Sequence, residues 1–224
     1  MLRRTAALST TLVAAATLAT AAPALASTDT AGRSALRVSY VASPPRVHAA
    51  HVNVVVPKLT CPKNAPHGHL TVGMSGATTK HATREQWHLQ VSADCSHGVT
   101  IYRASIGSGD TGIPVKPGDV VAMAETGSSE FTVEDASSGR GEGASSGSSS
   151  NPPITRVARL GLTLTGHLTT PLRIVLRDMK INHQPYGSVA HYRELSGSRH
   201  GLAIDARAPS GNGTRGVITL RPLS

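Results

Sequence analysis

The sequence predicts an all-β protein, an antiparallel β-sandwich or barrel in one domain. Three observations predict it. Short runs rich in Val, Ile, Leu and Thr recur between Val52 and Leu220, each closed by Gly, Pro or Ser. Several of these runs alternate apolar and polar residues with period two, the pattern of a strand with one buried face. Nothing in the same span sustains a helical period over three turns.

The strands are read in chain order. Val52–Val56 is a β-branched run stopped by Pro57. His69–Met74 alternates and stops at Ser75-Gly76. From Trp87 to Val91 the apolar side chains Trp87, Leu89 and Val91 share one face, leaving Gln86, His88 and Gln90 on the other. Val99–Tyr102 follows, then the turn Pro117-Gly118-Asp119, whose Asp is expected to bond backbone amides. That turn launches Val120–Ala124, and Glu130–Asp135 alternates again. Residues 137–153 are Ser/Gly/Pro-rich and are expected to form a loop, because they carry almost no apolar side chain to bury. Strands resume at Thr155–Thr165, Arg173–Lys180, Leu202–Ala206 and Val217–Leu220.

Upstream of the strands the chain has the layout of an export signal. Arg3 and Arg4 precede a small, apolar stretch from Ala6 to Ala22, and Ala24-Leu25-Ala26 supplies a small-x-small cleavage site. Residues 1–26 are therefore expected to be removed, and the protein to be secreted, with no membrane association afterwards. Residues 27–50 are expected to be a flexible lead-in or short propeptide, and 51–224 the folded domain. Cys61 and Cys95 are the only cysteines. In an oxidising compartment they favour one disulfide, closing a loop of about 35 residues and stabilising the fold by ~3 kcal/mol.

Net charge is +9 and falls to +7 without Arg3 and Arg4. The basic residues are scattered, which suits weak adhesion to anionic polymers and not a nucleic-acid site, for which no motif is present. Aromatics are 3% of the chain, too few for the exposed platform that a sugar-binding module needs. Histidines at 67, 69, 81, 88 and 97 leave a third metal ligand unspecified, so no metal or cofactor is expected. A monomer is expected.

The order of short motifs resembles one family. Val56-Pro57 with Cys61 is followed by Thr71-Val72-Gly73-Met74-Ser75-Gly76, similar to a Trp-Val-Gly-x-x-Gly signature with Thr71 in place of the Trp. Then come Glu85-Gln86, Asp94-Cys95-Ser96-His97-Gly98 and Tyr102-Arg103-Ala104. Val115-Lys116-Pro117-Gly118-Asp119, Phe131-Thr132-Val133-Glu134-Asp135, Ala208-Pro209-Ser210 and Gly213-Thr214 complete the string. In this order they resemble the glutamic peptidases, or eqolisins, and the chain looks like a degenerate bacterial member of that family. The resemblance implies a two-sheet antiparallel sandwich, concanavalin-like in shape. It also implies a catalytic pair, a Gln amide and a Glu that acts as general base on water.

For the Gln, Gln86 is the first choice by motif and Gln90 the second. The Glu is missing. The family's acid-bearing strand corresponds to Ile154–Leu160, and there is no carboxylate from Asn151 to Pro171. Arg156 and Arg159 stand in its neighbourhood, and a guanidinium has no lone pair to accept a proton. The expectation is a non-catalytic binding or surface protein with a cationic groove formed by Arg156, Arg159 and His88, suited to a peptide or an anionic polymer. The alternatives are an active acid endopeptidase whose base comes from Glu125 or Glu130, and a carbohydrate-binding module.

Overall fold

The computed structural model describes residues 35–64, 67–79, 86–107, 112–126, 130–145, 154–166, 169–196, 201–210 and 212–223. The export signal, His81 and Glu85 lie outside the described residues. Arg33–Ser224 forms one compact unit.

In chain order the strands are β1 (Leu36–Ala42), β2 (Ala49–Val55), β3 (Gly68–Ala77), β4 (Trp87–Ser96), β5 (Val99–Ile106), β6 (Ile113–Pro114), β7 (Val120–Thr126) and β8 (Glu130–Asp135). They continue as β9 (Arg140–Ser145), β10 (Val157–Thr165), β11 (Leu172–Ile181), β12 (Gln184–Pro185), β13 (Ala190–Ser196), β14 (Leu202–Ala206) and β15 (Gly216–Pro222), with one helical turn, α1 (Tyr186–Val189), before β13. Pairing is antiparallel throughout, in a seven-stranded sheet ordered β13-β1-β10-β3-β4-β5-β6 and an eight-stranded sheet ordered β14-β15-β11-β2-β7-β8-β9 with β12 beside β11. The expected all-β, one-domain sandwich is what the chain forms.

The core lies between the two sheets and follows from the alternation. Leu70, Val72 and Met74 of β3, and Leu160, Leu162 and Leu164 of β10, meet Val52 and Val54 of β2 and Ile174 and Leu176 of β11 in one buried cluster. Aromatics are few but placed where a polar tip has work to do. Tyr40 crosses from β1 to donate to the Val217 carbonyl at 3.1 Å. Tyr186 donates to the carbonyls of Tyr40 at 3.0 Å and Ala158 at 2.7 Å. Cys61 and Cys95 are bonded, with Cα atoms 5.5 Å apart, which ties the segment after β2 to β4. Asp119 accepts from the Lys116 amide at 2.9 Å, as the Pro-Gly-Asp turn requires.

Two boundaries are corrected. Residues 36–42 are no lead-in: β1 sits between β13 and β10, with Leu36, Val38 and Tyr40 buried. That stretch alternates, but its Arg and Ser content masked it. The Ser/Gly segment is also not loop throughout, since Arg140–Ser145 pairs along β8. As the edge strand of its sheet it is held by one ladder, and its side chains are mostly exposed, so it needs no apolar face.

Candidate functional site

The outer face of the seven-stranded sheet carries a groove of about 240 Å³ lined by residues of β1, β10, β3 and β4. Its rows follow from register, because directly paired residues point to the same face. The middle row reads Ser39, Gly161, Gly73, Gln90. The row on one side is Arg37, Thr163, Thr71, Ser92, and on the other Val41, Arg159, Ser75, His88.

The groove exists because its middle row has two glycines. A Cβ on Gly73 would collide with the Leu89 carbonyl and come 2.8 Å from the Gln90 Cα. A Cβ on Gly161 would collide with the Val38 carbonyl and come 2.6 Å from the Ser39 Cα. The paired glycines therefore let neighbouring strands close in and leave a floor with no side chain between Ser39 and Gln90. Val41, Ala77 and Val157 form a small apolar cluster on the same face at one end.

The polar groups around that floor include two guanidiniums, which only donate, among hydroxyls, imidazoles and an amide, which also accept. Arg159 is 5% exposed and Ser39 4%, and the Ser39 hydroxyl has no hydrogen-bond partner among the described residues. Arg37, His88 and Gln90 complete the wall, and His69, bonded to Asp94, closes the far end. No Asp, Glu or aromatic residue is among the described residues lining the groove.

The named candidates separate cleanly. Gln90, His88 and Arg159 come together in the groove. Gln86, the first choice for the family's Gln, does not line it; its Oε1 accepts from the Thr155 hydroxyl at 2.8 Å, and Thr155 also accepts from the Trp87 indole at 3.3 Å. Arg156 is exposed and does not line the groove either. Gln86 precedes β4, which begins at Trp87, and the cross-strand register sets Gln90 beside the glycines. Arg37 and Ser39 were missed because their strand was read as lead-in.

Glu125 and Glu130, the proposed substitute acids, are on β7 and β8 of the other sheet and cannot face Gln90. Glu130 is exposed beside Thr126. Glu125 is 7% exposed on the core side of β7, and burial pushes its carboxyl up to about 7. The histidines do not converge: His67 packs edge-on against His97 at 5.8 Å, while His69 pairs with Asp94. Among the described residues no group of three or more His, Cys, Asp or Glu could hold a metal ion. Nor, among them, is any helix long and apolar enough to cross a membrane.

No family model and no curated protein matches this chain. Solved structures do. Scytalido-glutamic peptidase with a transition-state analogue inhibitor is similar over 84% of this chain and 98% of its own, at 13% identity and a TM-score of 0.51. The same peptidase with a peptide-based analogue is similar over 85% and 98%, at 15% identity and a TM-score of 0.46. SCP-B, an eqolisin-family peptidase in complex with the tripeptide Ala-Ile-His, is similar over 85% and 98%, at 15% identity and a TM-score of 0.48. At such identities the likeness of the first concerns the fold: this chain has the β-sandwich of the glutamic peptidases.

Proposed function

We propose that this chain is an exported, non-catalytic relative of the glutamic peptidases that binds a peptide through a carboxylate in the groove of its seven-stranded sheet. One observation carries the reading: Gln90 and Arg159 share the groove while no carboxylate lines it among the described residues. Peptide hydrolysis by this fold's chemistry needs a base to take a proton from water. A guanidinium cannot serve, because it stays protonated at every working pH. The Ser39 hydroxyl and the Gln90 amide border an open floor, and the guanidiniums of Arg159 and Arg37 give its rim a positive charge. A carboxylate, at a peptide C-terminus or on an acidic side chain, is the acceptor that such a site suits.

Export rests on the Arg3-Arg4 start, the apolar stretch to Ala22 and the Ala24-Leu25-Ala26 site, and it agrees with the Cys61–Cys95 bond. The test uses the purified protein starting at Ser27. Labelled peptides with a free C-terminus are titrated by fluorescence anisotropy beside their C-terminal amides. Binding of the free acids should weaken about tenfold in Arg159→Ala, a loss of ~1.4 kcal/mol, and should be unchanged in Gln86→Ala. Equal binding of acids and amides sinks the reading. A cleavage assay at pH 2–4 guards the rival. Register sets the Glu194 backbone of β13 opposite Ser39, and Glu194 is the acid that the variants remove. Turnover that vanishes in both Glu194→Gln and Gln90→Ala would establish an active peptidase instead.

A further inference from the structure

The outer face of the eight-stranded sheet carries base and acid at opposite sides. Alternation selects its residues: on β11, Ile174 and Leu176 are buried in the core, which leaves Arg173, Val175 and Arg177 on the outside. Register then aligns the outward residues in rows across β11, β2, β7 and β8. One row reads Val175, Val55, Val120, with Ala136 bonded next to Val120 beyond it. The middle row reads Arg177, Asn53, Ala122, Glu134, and the third Lys180, His51, Ala124, Thr132. A guanidinium and a carboxylate thus end the middle row, with only short side chains between them. Arg177 and Glu134 are exposed, and neither is in an ion pair among the described residues. Lys180, by contrast, is engaged by Asp178 at 2.8 Å.

We infer that two copies of the chain associate through this face, about a two-fold axis lying along the strands between β2 and β7. Such an axis keeps each row level and exchanges its ends, so β11 covers β8 of the second copy and β2 covers β7. Arg177 then meets the second copy's Glu134, and Val55 meets its Val120. Lys180 falls opposite Thr132, and His51 opposite Ala124. Like charges oppose each other in none of the three rows, and this self-complementarity is what an isologous contact requires. Packed sheets cross at about 30°, but Arg177 and Glu134 are only about 7 Å from the axis. The crossing shifts them by ~4 Å, which two long side chains can span. An anionic polymer is the competing occupant, drawn by Arg173 and Arg177, but Glu134 on the same row repels it. Six strands from β15 to β9, ~4.8 Å apart, and three rows about 7 Å apart cover roughly 600 Å² per copy, about 1,200 Å² in all. That is the low end for a specific interface, so a weak dimer, with dissociation at about 10–100 μM, replaces the monomer expected from the sequence. The grooves lie on the other sheet and stay open, so the dimer carries two of them.

The protein starting at Ser27, run by sedimentation velocity from about 5 to about 500 μM in low salt, should show a monomer–dimer equilibrium. Arg177→Glu and Glu134→Arg should each weaken it about tenfold or more, and the double variant should return to within about threefold of wild type. Arg103→Glu makes the same charge change at an exposed residue of the other sheet and should leave dimerisation intact. A wild type that stays monomeric throughout overturns the inference, and so does a double variant no better than either single one. Equal weakening by Arg103→Glu overturns it too, since net charge and not this face would then govern association. Polyphosphate that binds wild type but not Arg177→Glu, with no dimer formed, would assign the face to an anionic polymer instead. The substituted residues are all exposed, and thermal unfolding of each variant checks that it folds.

Discussion

Asp135 and Glu125 lie on the same two-stranded ladder, Asp135 opposite Val121 at one end of β7–β8 and Glu125 opposite Phe131 towards the other. Both point to the core side of the sheet, and both are nearly inaccessible, 2% and 7% exposed. Their surroundings differ. At the Asp135 end the chain turns into β9, and that turn supplies donors: the Ser137 amide at 3.0 Å and the Ser138 hydroxyl at 2.6 Å. Burial pushes the Asp135 carboxyl up, but the bonds from Ser138 and Ser137 outweigh it, and the net direction is down. At the Glu125 end nothing among the described residues donates to Oε2, and burial pushes the carboxyl up to about 7. Two carboxyls on one ladder thus behave oppositely because one end has a turn that donates to it and the other is buried without such a donor among the described residues.

The largest effect should come from breaking the satisfied end. Asp135→Ala leaves the Ser137 amide and Ser138 hydroxyl without their acceptor and loosens the start of β9. It should destabilise the protein by about 3 kcal/mol at pH 7 in urea unfolding. Because the folded-state value of Asp135 lies below its ordinary 3.8, its ionised form contributes stability above that pH. The contribution is lost as pH falls below about 4, so wild type and variant should converge in acid. An equal difference at pH 2.5 and pH 7 would show that Asp135 acts through packing and not through its charge.

Glu125→Gln should move stability the other way. The folded protein holds the Glu125 proton up to about pH 7, whereas the unfolded chain releases it near 4.5. Between those values the folded state binds more protons, so wild-type stability declines as pH rises, and the penalty is complete above about 7. The variant should be more stable by about 2 kcal/mol at pH 8 and indistinguishable near pH 4. A Tm that falls in Glu125→Gln at pH 8 would mean that a donor reaches Oε2 after all.

These two ends also mark how far the sequence could be read. The alternation Phe131, Val133, Asp135 is plain in the sequence, and so is the strand it makes. So too are the β4 alternation and the Asp119 turn, which depend on neighbours close in the chain, and the single disulfide, which follows from there being two cysteines. Residues that depend on partners far away were not legible. Gln86 and Gln90 have equal standing in a period-two pattern, and only the register of Gly73 with Gly161 and Gln90 selects between them. Leu36–Ala42 alternates faintly among Arg and Ser, and its place between two strands comes from β10 and β13. Arg140–Ser145 has no apolar face because an edge strand with exposed side chains does not need one. The burial of Glu125 is equally non-local, since its column is closed by Ala50 across the ladder.

A smaller change dissects the Asp135 end. Ser138→Ala removes one of its two named donors and leaves the Ser137 amide in place. The cost should be about 1 kcal/mol at pH 7, a third of that for Asp135→Ala. Asp135 should then titrate at a higher pH, visible as an upward shift in the acid limb of the stability curve. If Ser138→Ala costs as much as Asp135→Ala, the hydroxyl and not the amide organises the turn.

The smallest effect belongs to an acid that never left water. Asp94 on β4 pairs with His69 on β3 at the end of the groove, but their side chains are 54% and 40% exposed. Solvent screens such a pair, and holding both side chains in one geometry costs entropy, so the interaction is worth less than 1 kcal/mol. Asp94→Asn should shift stability by about 0.5 kcal/mol or less, and 1 M salt should erase most of that. The comparison with Glu125 is the informative part. Salt reaches Asp94 and should leave the Glu125→Gln difference at pH 8 nearly intact, because that difference arises from the loss of water around one carboxyl and not from attraction to another charge. If salt collapses both differences alike, the surroundings of Glu125 are as wet as the groove, and its carboxyl is not withheld from solvent in the way its position on the ladder implies.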